Sequence, residues 1–140
     1  MAYRQLSDIV HHQTPLVMPP EASVKDACRS MRERRVGAVL VTDAERRLLG
    51  IFTGRDAVAR VLADGKPADR TALSKVMTPS PQTMPPGKNA VEALRLMQDC
   101  GCRHVPVVEH GKVVGIVSYG DFRGFELDRL DEESGLWERI

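Results

Sequence analysis

Aromatic side chains are scarce. Phe, Trp and Tyr supply 4% of the 140 residues, so any interior is assembled from Val, Leu, Ile, Ala and Met. No apolar run reaches ten residues, which argues against a membrane-spanning helix. The opening MAYRQLSDIV lacks the basic-then-apolar design of a secretory signal. Cysteine is rare and odd in number, with Cys28, Cys100 and Cys102. That usage suits reduced thiols in a cytoplasmic protein better than a secreted disulfide scaffold. Excess charge is missing too: 20 basic and 19 acidic residues give a net +1. This balance speaks against a general binder of nucleic acid or acidic membrane. What is present is ordinary globular usage, 42% hydrophobic and 28% charged, in a length that suits one domain or two very small ones.

The chain repeats itself. At an offset of 66, Val10 meets Val76, Pro15 meets Pro81, and Met18-Pro19-Pro20 meets Met84-Pro85-Pro86. Ala27, Arg29 and Met31 meet Ala93, Arg95 and Met97, and Val39 and Val41 meet Val105 and Val107. One residue is lost in a turn. Gly50-Ile51 then meets Gly115-Ile116, and Asp56 meets Asp121. These are 13 identities over 46 aligned positions, where composition alone gives about three. The period exceeds the roughly 20–50 residues of solenoid units, so the chain reads as a tandem pair of modules.

Both modules have the same order. A turn at Thr14-Pro15 or Ser80-Pro81 leads to a short extended piece ending in Met-Pro-Pro. A helix follows, with the capping patterns Ser23-x-x-Asp26 and Asn89-x-x-Glu92. Val24, Ala27, Cys28 and Met31 form its apolar stripe in the first module, Ala90, Ala93, Leu94 and Met97 in the second. Two apolar strands come next, 38–41 with 48–52 and 105–108 with 113–117, and then a helix opening at Thr53 or Ser118. The predicted class is α+β, a tandem repeat of β-α-β-β-α modules. Residues 1–62 form the first module, 63–73 a polar linker, 74–128 the second module and 129–140 a charged tail. Trp137 in that tail either docks or lies on a frayed terminus. A module of this size is marginal alone, so the two are expected to share an interface about a pseudo-twofold axis.

Gly50-Ile-Phe-Thr53-Gly-Arg-Asp56 is matched by Gly115-Ile-Val-Ser118-Tyr-Gly-Asp121. Each lies where a strand ends and a helix begins. The simplest reading is a capping box. The same geometry serves a ligand: a helix start offers N–H groups to a phosphate, and a carboxylate accepts from ribose hydroxyls. Gly50 and Gly115 would admit a ligand or a helix close to the backbone. Duplication of the whole motif favours a functional role.

The duplication, Val76-Met-Thr-Pro79, the strand Arg103-His-Val-Pro-Val-Val108 and the two Gly-x-x-Thr/Ser-x-x-Asp motifs together resemble a CBS-domain pair, or Bateman module, over about residues 8–126. The resemblance implies regulatory binding of an adenosine compound: AMP, ADP, ATP or S-adenosylmethionine. It also implies modules packed sheet to sheet, ligands in two related clefts, and a homodimeric disc of four modules. Asp56 and Asp121 match the family's ribose-binding aspartate, and Thr53 and Ser118 the neighbouring hydroxyl. Thr14 and Ser80 match the turn that lines the cleft. Val36, Gly37 and Ala38, with Cys102, Arg103 and His104 in the second module, match the segment facing the base. Arg103, His104 and Arg55 are candidate phosphate contacts. Tyr119 stacks on a base or fills the cleft. The two sites differ in sequence, so unequal affinities are expected.

Cys100-Gly-Cys102-Arg-His104 falls short of a metal site, because Cys-x-Cys with a distant His110 does not supply four converging ligands. Buried or half-buried thiols are expected there instead. His11-His12 reads as surface, Arg32–Arg35 as cations complementing a helix end, and Met31 and Met97 as core. No nucleophile–base pair, phosphate-binding Gly-x-x-x-x-Gly-Lys-Ser/Thr loop or paired metal-binding His motif is present, so no catalytic residue, required cofactor or metal is assigned. The leading expectation is a cytoplasmic, non-enzymatic nucleotide sensor that signals to a protein target in trans. The alternative is a ligand-free dimeric scaffold acting through its surface.

Overall fold

Ser23 and Asn89 start the two long helices by the expected chemistry. The computed structural model, which describes residues 3–124 and 126–128, places α2 at Val24–Arg34 and α4 at Ala90–Cys100. The Asp26 N–H donates to Ser23 Oγ at 3.1 Å. At α4 the box is reciprocal: the Glu92 N–H donates to Asn89 Oδ1, and the Asn89 N–H donates to Glu92 Oε2, both at 2.9 Å. Such caps satisfy amides that a helix start leaves without partners. The predicted stripes face inward. Val24, Ala27 and Met31 are buried on α2, and Ala90, Ala93, Leu94 and Met97 on α4.

The strands repeat as well. β1 (Val17–Met18) runs parallel to β2 (Ala38–Thr42), and β2 pairs antiparallel with β3 (Leu48–Thr53). β4 (Thr78–Pro79) adds antiparallel to β3, which completes a four-stranded sheet. In the second repeat β5 (His104–Glu109) pairs with β6 (Lys112–Ser118). Met84 bridges Val107 in parallel, as Met18 pairs with Val41.

The chain forms two compact units that interleave along the sequence. Residues 14–81 with 110–113 make one; residues 3–13, 82–109 and the described residues from 114 on make the other. The first unit has a core of Val24, Ala27, Met31, Val39, Val41, Phe52, Val61, Leu73 and Val76. Leu73 and Val76 belong to the stretch around a 3-10 turn at Leu73–Lys75. The polar segment 63–73 is stitched to this unit. Lys25 and Val24 donate to the carbonyls of Ala68 and Thr71, and the Leu73 N–H donates to Ala22.

The second unit takes α1 (Leu6–Val10) into its core, where Leu6 and Val10 meet Ala90, Leu94, Met97, Val105, Val117 and Phe122. Main-chain bonds from Leu6 to Lys88 and from Ala90 to Arg4 fasten it. Gln13 grips the main chain of Ile116 twice. Its Nε2 donates to the carbonyl at 2.7 Å, and its Oε1 accepts from the N–H at 2.9 Å. One side chain thus does on β6 what β4 does on β3.

The two glycines face the chain itself. A Cβ on Gly50 would lie 2.5 Å from Met77 Sδ, and one on Gly115 would lie 2.5 Å from Val10 Cβ. Val10 and Met77 come from the segments that precede the Thr14-Pro15 and Ser80-Pro81 turns. The expected close approach is real, but the group that approaches is neither ligand nor, at Gly50, a helix.

The last helices differ. After Thr53, one α-turn, α3 (Gly54–Asp56), continues as a π-helical segment at Ala57–Leu62. After Ser118 there is a 3-10 turn, Tyr119–Asp121, then an extended Phe122, and helix is found at Gly124 and at 126–128. The expectation of a helix opening at Ser118 is corrected in its start, which is a 3-10 turn broken at Phe122, with helix only from Gly124. Phe122 leaves the turn to fill the core, and it is 8% exposed. The tail from 129 to 140, with Trp137, lies outside the described residues. Among the described residues no helix is long and apolar enough to cross a membrane.

Candidate functional site

Each repeat ends its strand pair in a corner where a hydroxyl and a carboxylate hold each other. In the first, the Thr53 N–H donates to Asp56 Oδ2 at 3.0 Å, and Thr53 Oγ1 lies 3.2 Å from the same oxygen. The Asp56 N–H donates back to Thr53 Oγ1 at 3.3 Å. In the second, the Ser118 N–H reaches Asp121 Oδ2 at 2.7 Å, and Ser118 Oγ donates to it at 3.1 Å. The capping reading and the duplication are therefore both present in the geometry. One carboxylate oxygen of each aspartate does the capping.

The other oxygens differ. Asp56 is buried, and its Oδ1 lies 3.6 Å from Arg60 Nε and 3.5 Å from Thr78 Oγ1. Arg60 also donates to the carbonyl of Met77 at 2.8 Å. Asp121 is half-buried. Its main-chain carbonyl accepts from Arg4 Nη2 at 2.9 Å. Arg4 in turn pairs with the fully buried Glu126 at 2.8 Å. Burial pushes the Glu126 carboxyl up, but the hydrogen bonds from Arg4 and the Arg123 N–H outweigh it, and it sits below the ordinary value.

The remaining candidates divide between the units. With Asp56 and Thr53, the first unit holds Thr14, Val36, Gly37, Ala38, Arg55 and Ser80. Gly37 accepts from the Gly54 N–H at 3.2 Å, which ties the strand entry to the turn. Ala38 is buried opposite Thr53, whereas Val36 and Arg55 are exposed. Thr14 accepts at its carbonyl from Arg34 Nη2. Ser80 has a positive φ of 46°, and its N–H donates to Leu49 of β3. It therefore shares a unit with Asp56, although it opens the second repeat.

The second unit holds Cys102, Arg103, His104, Ser118, Tyr119 and Asp121. The Tyr119 N–H donates to the Arg103 carbonyl at 3.0 Å, the counterpart of the Gly54–Gly37 bond. The Arg103 guanidinium lies 5.0 Å from the centroid of the Tyr119 ring, a cation–π contact. His104 is half-buried. Burial, then the Arg103 charge, lower its pKa against a smaller opposing pull from Asp121. Cys100 and Cys102 are joined by a disulfide, with Cα atoms 5.3 Å apart. That corrects the expectation of separate thiols: the left-handed turn at Gly101 brings the flanking residues into bonding range. Met31 and Met97 are core as expected, and His11 and His12 are exposed with ring centroids 4.3 Å apart.

Sequence reasoning missed Arg60, Thr78 and Arg4. The Asp56–Arg60 spacing of four was a usable signal, since such side chains share a helix face. Thr78 and Arg4 reach their partners across 22 and 117 residues of chain, and no local pattern announces them.

Duplicated strand pairs, capped helices and hydroxyl–carboxylate corners define a tandem pair of small mixed modules. The chain belongs to the CBS domain family, whose model matches residues 6–63 and again 73–128. It is 44% identical over 102 residues to the CBS domain-containing protein CBSCBSPB3 of Arabidopsis thaliana, covering 73% of this chain and 18% of that protein. The chain thus spans about a fifth of the length of the plant relatives it matches. Among solved structures, it is similar to a CBS domain protein of Pyrobaculum aerophilum complexed with AMP. The TM-score is 0.81 and the identity 23%, over 91% of this chain and 98% of that one. It is also similar to a CBS domain pair in complex with 5′-methylthioadenosine and S-adenosyl-L-methionine. There the TM-score is 0.76 and the identity 24%, over 90% and 98% of the two chains. These likenesses establish the α+β CBS-pair fold.

Proposed function

We propose that this chain is a regulatory module that binds an adenosine-containing ligand (AMP, ADP, ATP or S-adenosylmethionine) at its aspartate corners. It passes the bound state to a protein partner in trans and acts in the cytoplasm as a homodimer without catalysis of its own. The observation that carries this reading is the duplicated corner. Asp56 and Asp121 each use one oxygen on a Thr53 or Ser118 cap, which fixes the carboxylate where a strand turns. The second oxygen would accept ribose hydroxyls, at Asp56 in exchange for its contacts with Arg60 and Thr78, and the turn amides and Arg55, Arg103 and His104 suit phosphate or base. The adenosine compounds named for two structural relatives support the same ligand class. Signalling would follow from differential affinity for two arrangements of the protein.

Calorimetric titration with AMP, ADP, ATP, S-adenosylmethionine and NAD tests this, repeated on Asp56→Ala and Asp121→Ala with folding checked by circular dichroism. Micromolar binding by at least one adenosine ligand is expected. Loss of the aspartate at the working corner should weaken it by about 10- to 100-fold, as about 1.5–3 kcal/mol per charged hydrogen bond implies. A folded protein that binds none of the five overturns the reading.

A scaffold reading is favoured by a different observation. Val58 and Leu62 lie one turn apart on the π-helical segment and are 60% and 75% exposed. Sedimentation of the unliganded protein with both replaced by Ser separates the two. A dimer that depends on these residues, in a protein blind to nucleotides, leaves the scaffold in front.

A further inference from the structure

α2 and α4 end in the same left-handed turn. Arg35 takes it at φ 54° and Gly101 at φ 66°. The next amide, Val36 or Cys102, donates to the carbonyl of Met31 or Met97 at 3.0 and 3.1 Å. In the first repeat the flanking residues are Arg34 and Val36, and the turn forms with no sulfur. In the second they are Cys100 and Cys102, and a disulfide joins them. The repeat is its own control: this architecture does not need the bond. Cys100 is exposed and Cys102 half-exposed, so small solutes reach them. Cys28 contrasts with both. It is free and partly buried, and burial pushes its thiol up, away from the reactive thiolate.

The pair lies beside the second corner. Arg103 follows Cys102 directly, accepts from the Tyr119 N–H at 3.0 Å and covers its ring at 5.0 Å. Tyr119 opens the turn that ends at Asp121. One peptide bond and one hydrogen bond connect the sulfurs to that turn.

We propose that Cys100 and Cys102 form a reversible dithiol–disulfide site whose state sets the placement of Arg103 and Tyr119, and through them ligand affinity at the Asp121 corner. Its reactant is a low-molecular-weight disulfide of the glutathione class. The thiolate of one cysteine attacks a sulfur of that disulfide, forms a mixed disulfide and releases one thiol. The second thiolate then displaces the other thiol and closes the ring. Two electrons and two protons pass from the cysteine pair to the oxidant, which leaves as two thiols. When closed, the ring ties the last residue of α4 to the entry of β5. When open, Cys102 keeps only its main-chain bond to Met97, as Val36 does to Met31. The affinity clause rests on the function proposed above, whereas the thiol chemistry does not.

The full chain is equilibrated in reduced and oxidised glutathione mixtures, quenched by alkylation and mapped by mass spectrometry. Each form is then titrated with AMP, and amide hydrogen exchange at Tyr119 is followed in both. The Cys100→Ser/Cys102→Ser double variant is the control, and the first repeat's sulfur-free turn indicates that it folds. The expected result is a pair that closes and opens with the mixture while Cys28 stays free, with Tyr119 exchange slower in the oxidised form. AMP affinity should differ about fivefold or more between the forms and be insensitive to the mixture in the variant. A pair that never closes, or closes with exchange and affinity unchanged, overturns the proposal. If AMP binds neither form, the adenosine reading fails alone, and Tyr119 exchange still decides whether the corner senses the sulfurs.

Discussion

His104 starts β5 with its ring half out of water, beside Arg103 and near Asp121. Because burial lowers its pKa, the fold prefers the neutral ring, while the unfolded chain takes a proton at about pH 6.5. Its contribution to stability is therefore whole above about pH 6.5 and is lost as pH falls from there through the folded value. Urea midpoints measured on either side of that range should fall less on acidification in His104→Gln than in the parent. Equal slopes would show that the ring is not the titrating group. The sequence alone placed His104 beside a candidate phosphate, but its burial comes from strand packing and was not readable there. Asp56 and Asp121 were readable, because a capping box is a local pattern and its duplication is visible by alignment. The unequal surroundings of their outer oxygens were not, since Thr78 and Arg4 come from distant chain.

Among the elements, the capped helices and paired strands follow local rules, and their periodicity located them. The departures arise where an element must make room for another. Gly115 is the sharpest case, with a would-be Cβ 2.5 Å from Val10 and 3.0 Å from Gln13 Oε1. Gly115→Ala should lower stability by about 1–3 kcal/mol, the usual cost of overpacking, and show as a reduced Tm. Gly54→Ala is the control, because nothing lies within 4 Å of its would-be Cβ. A Gly115→Ala Tm no lower than that of Gly54→Ala would refute the close approach. The break after Ser118 has the same kind of cause: Phe122 enters the core of α1 and α4 before helix resumes at Gly124, and burial of an aromatic outweighs continuing a short turn.

For the molecule as a whole, the repeats in sequence and the units in space divide the chain differently. Arg4 and Glu126 lie 122 residues apart and form one ion pair in the unit that holds Asp121. Arg4→Met leaves the fully buried Glu126 without its cation. Because Arg4 is 21% exposed, the cost should fall at the low end of the about 3–5 kcal/mol typical of broken buried pairs. AMP affinity at the Asp121 corner should weaken with it, since Arg4 also holds the Asp121 carbonyl. The Glu126 carboxyl is depressed, so its contribution is present above about pH 4.3 and lost as pH falls through the folded value. Denaturant titrations across that range should show a shallower acid loss in Glu126→Gln. An unchanged profile would remove the pair from the stability of this unit.

Capped helices and the two aspartate corners were set by residues within a few positions of each other, and the duplication and module order by the same local patterns recurring 65–66 residues on. Period, cap and turn chemistry act at that range, so the linear chain carried them. The traffic of segments between units was decided in three dimensions. The sequence does not say that α1 joins the core of α4, that Gln13 stands in for a strand on β6, or that Leu73 and Val76 complete the first core. Those choices depend on which apolar face finds a complementary one, and that is a property of the packed chain.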